Sequence, residues 1–161
     1  AYAADLIDRE GGADSCVKPF SPEIDVKGPY GGRGNDNRVG ADYAEMLTRI
    51  MNADLAAIPG SYDEACHLEL PGGITAHGHD AADRFWMGLR ASFPNAAFTI
   101  EHQIGREDEG HAPRAAIRWG LHGKHDGWGS FGAPTGADVY VMGVSHAEFG
   151  PRGLRREYVL F

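Results

Sequence analysis

Eight histidines in 161 residues give this chain a large supply of the side chain that exchanges protons near neutral pH. His122 and His125 close one strand-like run, and His146 lies on the next, four residues before Gly150. His102 lies on the first long strand-like run. Sheet pairing can gather several of these rings at one mouth. His122 and His146 are therefore candidates to line a small-molecule pocket, as well as acid or base groups. The run His77-Gly78-His79-Asp80 places alternate histidines beside a carboxylate, a pattern that metal sites use. Asp80 is also explained as a helix cap, and Gly78 loosens the loop, so no metal is expected. A carboxyl buried among apolar side chains is a further acid or base, because desolvation raises its pKa.

Six aromatics, Phe85, Trp86, Trp119, Trp128, Phe131 and Tyr140, can either line a pocket or fill a core. Trp86 reads as both. The stretch Trp128-Gly129-Ser130-Phe131 is an apolar loop between glycines, suited to a lid or to a hairpin tip docked on a partner. No phosphate-cradling glycine motif and no serine nucleophile elbow is present in the sequence.

The elements that must position these groups follow from hydrophobic period. Tyr43, Met46, Leu47, Ile50, Met51 and Leu55 predict one buried helical face, stopped by Pro59-Gly60. Residues 66–70 predict a short strand before Pro71-Gly72-Gly73. A helix after Asp80 carries Ala82, Phe85, Trp86, Leu89 and Phe93 inward and ends at Pro94-Asn95. The period then becomes two: Phe98, Ile100 and His102 alternate with polar residues. Strands are predicted over 114–123, 139–149 and 154–161, the last two joined by the hairpin turn Gly150-Pro151-Arg152-Gly153. Helices first and antiparallel strands second make an α+β fold. The expected form is a cone-shaped barrel, a strongly curved and mostly antiparallel sheet around two to three helices, with an apolar cavity inside. On the last strand Glu157 alternates with Arg155, Val159 and Phe161, and Tyr158 with Leu154, Arg156 and Leu160. Neither face is plainly the core, and an ion pair between Glu157 and a surface arginine is the alternative to a pocket role.

Residues 1–10 predict a short helix closed by Gly11-Gly12, and 11–40 are rich in Gly, Pro, Asp and Asn. The expected organisation is an arm or linker over 1–40, from a preceding domain or packed on a partner subunit, and a domain over 41–161. The chain begins with alanine, which suggests a processed or partial polypeptide. A formal net charge of −8 argues against a nucleic-acid partner or an anionic membrane surface. No apolar run approaches the roughly 18 residues of a membrane span. Cys16 and Cys66 have no metal-binding spacing, so free thiols in a reducing, cytoplasmic setting are expected.

Several motifs fall in a recognisable order over residues 41–161. They are 71–80 leading into a helix, Ala91-Ser92-Phe93-Pro94-Asn95, Gly123-Lys124-His125-Asp126-Gly127, Gly132-Ala133-Pro134-Thr135-Gly136 and Arg156-Glu157-Tyr158. In these the chain resembles the SnoaL-like polyketide cyclases. The resemblance implies a nuclear-transport-factor-2-like fold, a homodimer through the sheet, and an intramolecular aldol closure without metal or organic cofactor. It places Glu157 where the cyclases carry a catalytic aspartate, one methylene shorter. Beside Glu157, His125 and His146 are expected to assist as acid or base groups; the alternative for His125 is a turn histidine that bonds backbone groups and fixes the bend. Trp86, Trp119, His122, Trp128, Phe131 and Tyr158 are expected around a hydrophobic small-molecule substrate. A non-catalytic ligand-binding or dimerisation module of the same fold is the second expectation.

Overall fold

Asn37 starts the first helix by accepting a hydrogen bond from the Val39 N–H at 2.9 Å. This helix, α1 (Arg38–Met51), belongs to a computed structural model that describes residues 34–161. The expected helix over 1–10 and the linker up to residue 33 lie outside the described residues. Tyr43, Met46, Leu47, Ile50 and Met51 make the buried stripe of α1. The stripe stops a turn early, because Ala53 takes a left-handed conformation with φ of 60° just past the cap. Leu55, expected on the inward face, is therefore exposed. Pro59-Gly60 sits inside a short second helix, α2 (Ala57–Ser61), rather than ending the first.

Strand β1 (Tyr62–Leu70) is longer than its expected core of 66–70. The Pro71-Gly72-Gly73 turn closes a hairpin onto β2 (Ile74–His77), with φ of 83° at Gly72 and 73° at Gly73, and that strand was not expected. Helix α3 (His79–Ser92) follows, capped by Gly78 and carrying Asp80 in its first turn instead of at the cap. Then come β3 (Ala97–Arg106), β4 (Arg114–Lys124), β5 (Asp138–Gly150) and β6 (Gly153–Leu160).

The strands form one sheet in the order β2-β1-β6-β5-β4-β3. Only β1 and β6 run parallel; the other neighbours are antiparallel. All the described helices lie on one face, α1 over β3 and β4 and α3 over β1 and β2. The edges β2 and β3 do not meet, so the barrel is not closed. The expected α+β architecture is otherwise the observed one. No helix of the described residues is long and apolar enough to cross a membrane.

Two bulges decide which side chains reach the interior. Phe149 pairs with Leu154 and Glu148 with Arg156, which leaves Arg155 without a partner on β5. One extra residue flips the alternation. Leu154 is buried before the bulge, and Glu157 and Val159 after it. On β3, Ile100 faces Trp119 and His102 faces Arg118, so Glu101 is the extra residue. Ile104 then points outward, and the expected alternation through His102 does not hold. The β3 edge is covered by Asn35, whose side-chain amide exchanges two 2.9 Å hydrogen bonds with the Gly105 backbone.

Candidate functional site

Glu157 has no solvent exposure, and both carboxylate oxygens are held. Tyr43 donates its hydroxyl to Oε1 at 2.7 Å, and Tyr62 donates to Oε2 at 2.8 Å. Trp86 Nε1 in turn donates to the Tyr62 hydroxyl at 3.1 Å. Each donor comes from a different element: Tyr43 from the buried stripe of α1, Tyr62 from the first residue of β1, and Trp86 from α3. The bulge at Arg155 turns the carboxylate toward them. Beside this chain, Trp119 Nε1 donates to Ser145 Oγ at 2.9 Å. Trp119 lies over Gly143, where a Cβ would meet its ring at 2.1 Å. Trp86 and Trp119 meet edge to face at 6.0 Å.

Burial pushes the Glu157 carboxyl up to about 7, while hydrogen bonds from Tyr43, Tyr62 and Trp86 hold it down. Burial, and then the neighbouring Glu157 charge, push both tyrosine hydroxyls well above their ordinary value, so they stay protonated donors. The arrangement is a carboxyl that gains or loses a proton near neutral pH, with each oxygen oriented by a phenol. The alternative of a surface ion pair does not hold: Arg155 and Arg156 both reach Glu148, at 3.5 and 3.6 Å.

The structure does not gather the expected histidines around this carboxyl. His146 pairs with Tyr158 while Ala147 pairs with Glu157, so His146 and Tyr158 stand on the outer face of the sheet. Their rings meet there at 6.0 Å, and Tyr158 is exposed. His122 is exposed on the same outer face, its ring 6.4 Å from Tyr140. His125 is buried, but in the turn after β4. Glu157 pairs with Ala147 and Ala147 with Ala115, which precedes His125 by ten residues on the chain. That is roughly 30 Å of extended backbone. His125 instead ties down its turn. Its carbonyl accepts from the Thr135 and Gly136 N–H groups, and its N–H donates to Ala137 O. Its ring lies against Phe93 and Phe131, with Nδ1 3.3 Å from Thr135 Oγ1.

Of the expected substrate-lining aromatics, Trp86 and Trp119 are fully buried at the site. Phe131 and Phe161, both partly exposed, pack on one another, Phe131 against the buried Phe93 and Phe161 against Phe85 and Trp119. Trp128 points to solvent. Its loop docks on α3 of the same chain. Ser130 N–H bonds Gly88 O at 3.0 Å, and Phe131 N–H bonds Ser92 Oγ at 3.2 Å. Gly129 makes that approach possible, since a Cβ there would lie 2.2 Å from the Gly88 carbonyl oxygen of the helix. A hollow of about 450 Å³ is lined by Pro113, Phe149, Pro151 and Arg155. Phe149 packs edge-on against Tyr43 at 5.9 Å and so backs onto the Tyr43–Glu157 pair.

Tyr43 and Tyr62 were not among the expected site residues. Tyr43 reads simply as part of an apolar helical stripe, although a buried tyrosine there demands a partner for its hydroxyl. His77 and His79 diverge: His79 Nε2 contacts Tyr62 O at 2.9 Å, and His77 meets His67. Among the described residues no group of three or more His, Cys, Asp or Glu is placed to hold a metal ion. Cys66 is buried and free, and Cys16 lies outside the described residues.

A family model described as a SnoaL-like domain matches residues 43–155. No curated protein sequence matches the chain. The fold is similar to that of a proposed SnoaL-like polyketide cyclase from a Jannaschia species, at 15% identity and a TM-score of 0.61, over 78% of this chain and 89% of that one. It is similar to wild-type IdmH, a proposed polyketide cyclase from Streptomyces antibioticus, at 15% identity and 0.62, over 77% and 91%. It is also similar to a proposed ketosteroid isomerase from Shewanella frigidimarina, at 11% identity and 0.61, over 78% and 96%. At these identities the likeness concerns the fold.

Proposed function

The chain belongs to the SnoaL-like domain family, and on that premise we propose that it is a cofactor-free lyase or isomerase acting on a hydrophobic, polyketide-like carbonyl compound, with Glu157 as its acid/base residue. The observation that carries this reading is the carboxyl of Glu157, fully buried, raised to about 7 and oriented by two phenols. A general base that removes a proton from a carbon beside a carbonyl works best with a pKa near the working pH, and returning the proton needs its conjugate acid. One carboxyl does both in an aldol closure or an isomerisation. Tyr43 and Tyr62 are positioning residues: they fix the lone pairs and set the pKa. The hollow at Phe149 is the proposed approach, since that ring packs directly on Tyr43, the partner of Glu157.

A panel of aryl ketones with an acidic α-carbon, followed by NMR in deuterated buffer, tests the proposal. The wild-type chain accelerates α-proton exchange, and Glu157→Gln loses the acceleration by two orders of magnitude or more. Equal exchange by the two proteins sinks the reading. One observation favours a second reading, a ligand-binding or dimerisation module: both Glu157 oxygens are already satisfied within the protein. On that reading Glu157→Gln raises the melting temperature at pH 8 and leaves ligand-induced thermal shifts intact. We further propose that two copies pair through the outer face of the sheet, where Met142, Val144, Tyr158 and Leu160 are exposed together.

A further inference from the structure

The β1–β2 hairpin carries a constellation that the Glu157 site does not use. His67 and His77 are directly opposed across the two strands, and Glu69 is opposed to Thr75. His67 Nδ1 and His77 Nε2 lie 3.0 Å apart, with the rings nearly perpendicular. The other nitrogen of His67, Nε2, is 2.6 Å from Glu69 Oε1. Thr75 donates its hydroxyl to Glu69 Oε2 at 2.9 Å.

Proton bookkeeping fixes the state of the pair. Thr75 donates to one Glu69 oxygen and His67 Nε2 faces the other at 2.6 Å, so the carboxylate is the acceptor in both bonds. His67 Nε2 must then carry the proton in its bond to Glu69. This leaves His67 Nδ1 facing His77 Nε2. Two lone pairs at 3.0 Å repel, and two protons there collide, so one proton lies between the rings. A metal ion can take the place of that proton. Ligand nitrogens about 2 Å from one metal, at the angles such ions adopt, stand roughly 3 Å from each other. A metal-binding histidine also characteristically donates its other N–H to a carboxylate, which fixes tautomer and ring orientation. Glu69 already does this for His67, and Thr75 anchors Glu69.

We propose that His67 and His77 form a two-histidine site for a divalent transition metal, copper or zinc, on the β1–β2 edge hairpin. His67 Nδ1 and His77 Nε2 are the protein ligands. His77 is exposed, so water has access to the remaining positions. Glu69 is a positioning residue. Binding releases about one proton per metal and staples the short edge strand β2 to β1. Arg156 pairs with His67 across the β1–β6 register, and its guanidinium lies 3.6 Å from Glu148.

The test uses the full chain with CuSO₄ or ZnCl₂ alone. Calorimetry on the wild type gives one tight equivalent, with Cu²⁺ tighter than Zn²⁺. The Cu²⁺ form shows an EPR spectrum split by two imidazole nitrogens, and the melting temperature rises on loading. His67→Gln and His77→Gln each lose the tight equivalent and the melting shift. Glu69→Gln weakens binding about 10- to 100-fold without removing it. A wild type with no tight equivalent overturns the proposal. So does a His77→Gln chain that binds as the wild type does, which would place the metal on other histidines.

Discussion

Glu157 and Tyr158 are consecutive residues with opposite fates. Glu157 points inward, where two phenols and an indole enclose it and water is excluded. Tyr158 points outward among His146, Met142, Val144 and Leu160, on a face that is partly apolar and bordered by Arg118, Glu148 and Arg156. The same strand thus presents a dry polar network on one side and a wet mixed surface on the other. Electrostatic effects are large on the first side and screened on the second. Sequence neighbours therefore say little about role, and the side of the sheet says most of it.

The largest way to break this contrast is Glu157→Ala. It leaves the Tyr43 and Tyr62 hydroxyls buried without their acceptor and opens a cavity. The expected loss is roughly 3–5 kcal/mol of unfolding free energy. Urea denaturation checks this, and a loss under about 1 kcal/mol would mean that the network contributes no net stability. Tyr158→Ala, one residue along, is expected to cost far less.

A smaller effect comes from pH. The Glu157 carboxyl lies at about 7 in the folded chain, against an ordinary value of 4.5. The folded state therefore holds this proton more firmly than the unfolded state. Its contribution to stability is fully present below about 4.5 and is lost as pH rises to about 7. The whole span is on the order of 3 kcal/mol. Asp54, Asp63 and Glu69 have lowered pKa values and work in the opposite direction at acid pH. The difference between wild type and Glu157→Gln isolates the Glu157 share: it should change between pH 5 and 8 in favour of the glutamine form. A constant difference would mean that Glu157 titrates as an ordinary carboxyl.

Much of the scaffold was legible because it rests on period. The stripes of α1 and α3 and the last four strands follow directly from apolar spacing. The site was only half legible. Glu157 could be named, but its side of the sheet depended on the unpaired Arg155, and a single bulge reverses every later residue. The same device on β3, at Glu101, turned Ile104 outward. Tyr62 escaped notice because a tyrosine that opens a strand looks like any other β-former. The type and number of the histidines suggest acid–base chemistry, whereas pairing sends His122 and His146 to the outer face; His125 instead bonds backbone groups and fixes its turn, the alternative open to it from the sequence.

The smallest expected effect on the folded monomer belongs to that outer face. Met142 and Leu160 are 54% and 69% exposed, so replacing each with lysine removes little buried area. The double variant Met142→Lys, Leu160→Lys should stay within about 0.5 kcal/mol of wild type at a concentration where the chain is monomeric. The consequence for association is larger, since two copies paired through this face would oppose four added ammonium groups. Sedimentation at rising concentration should give a dimer for the wild type and a monomer for the variant. A variant that dimerises as well as the wild type would move the interface off this face. The inner network would be untouched in either case, because no described hydrogen bond of Glu157 crosses the sheet.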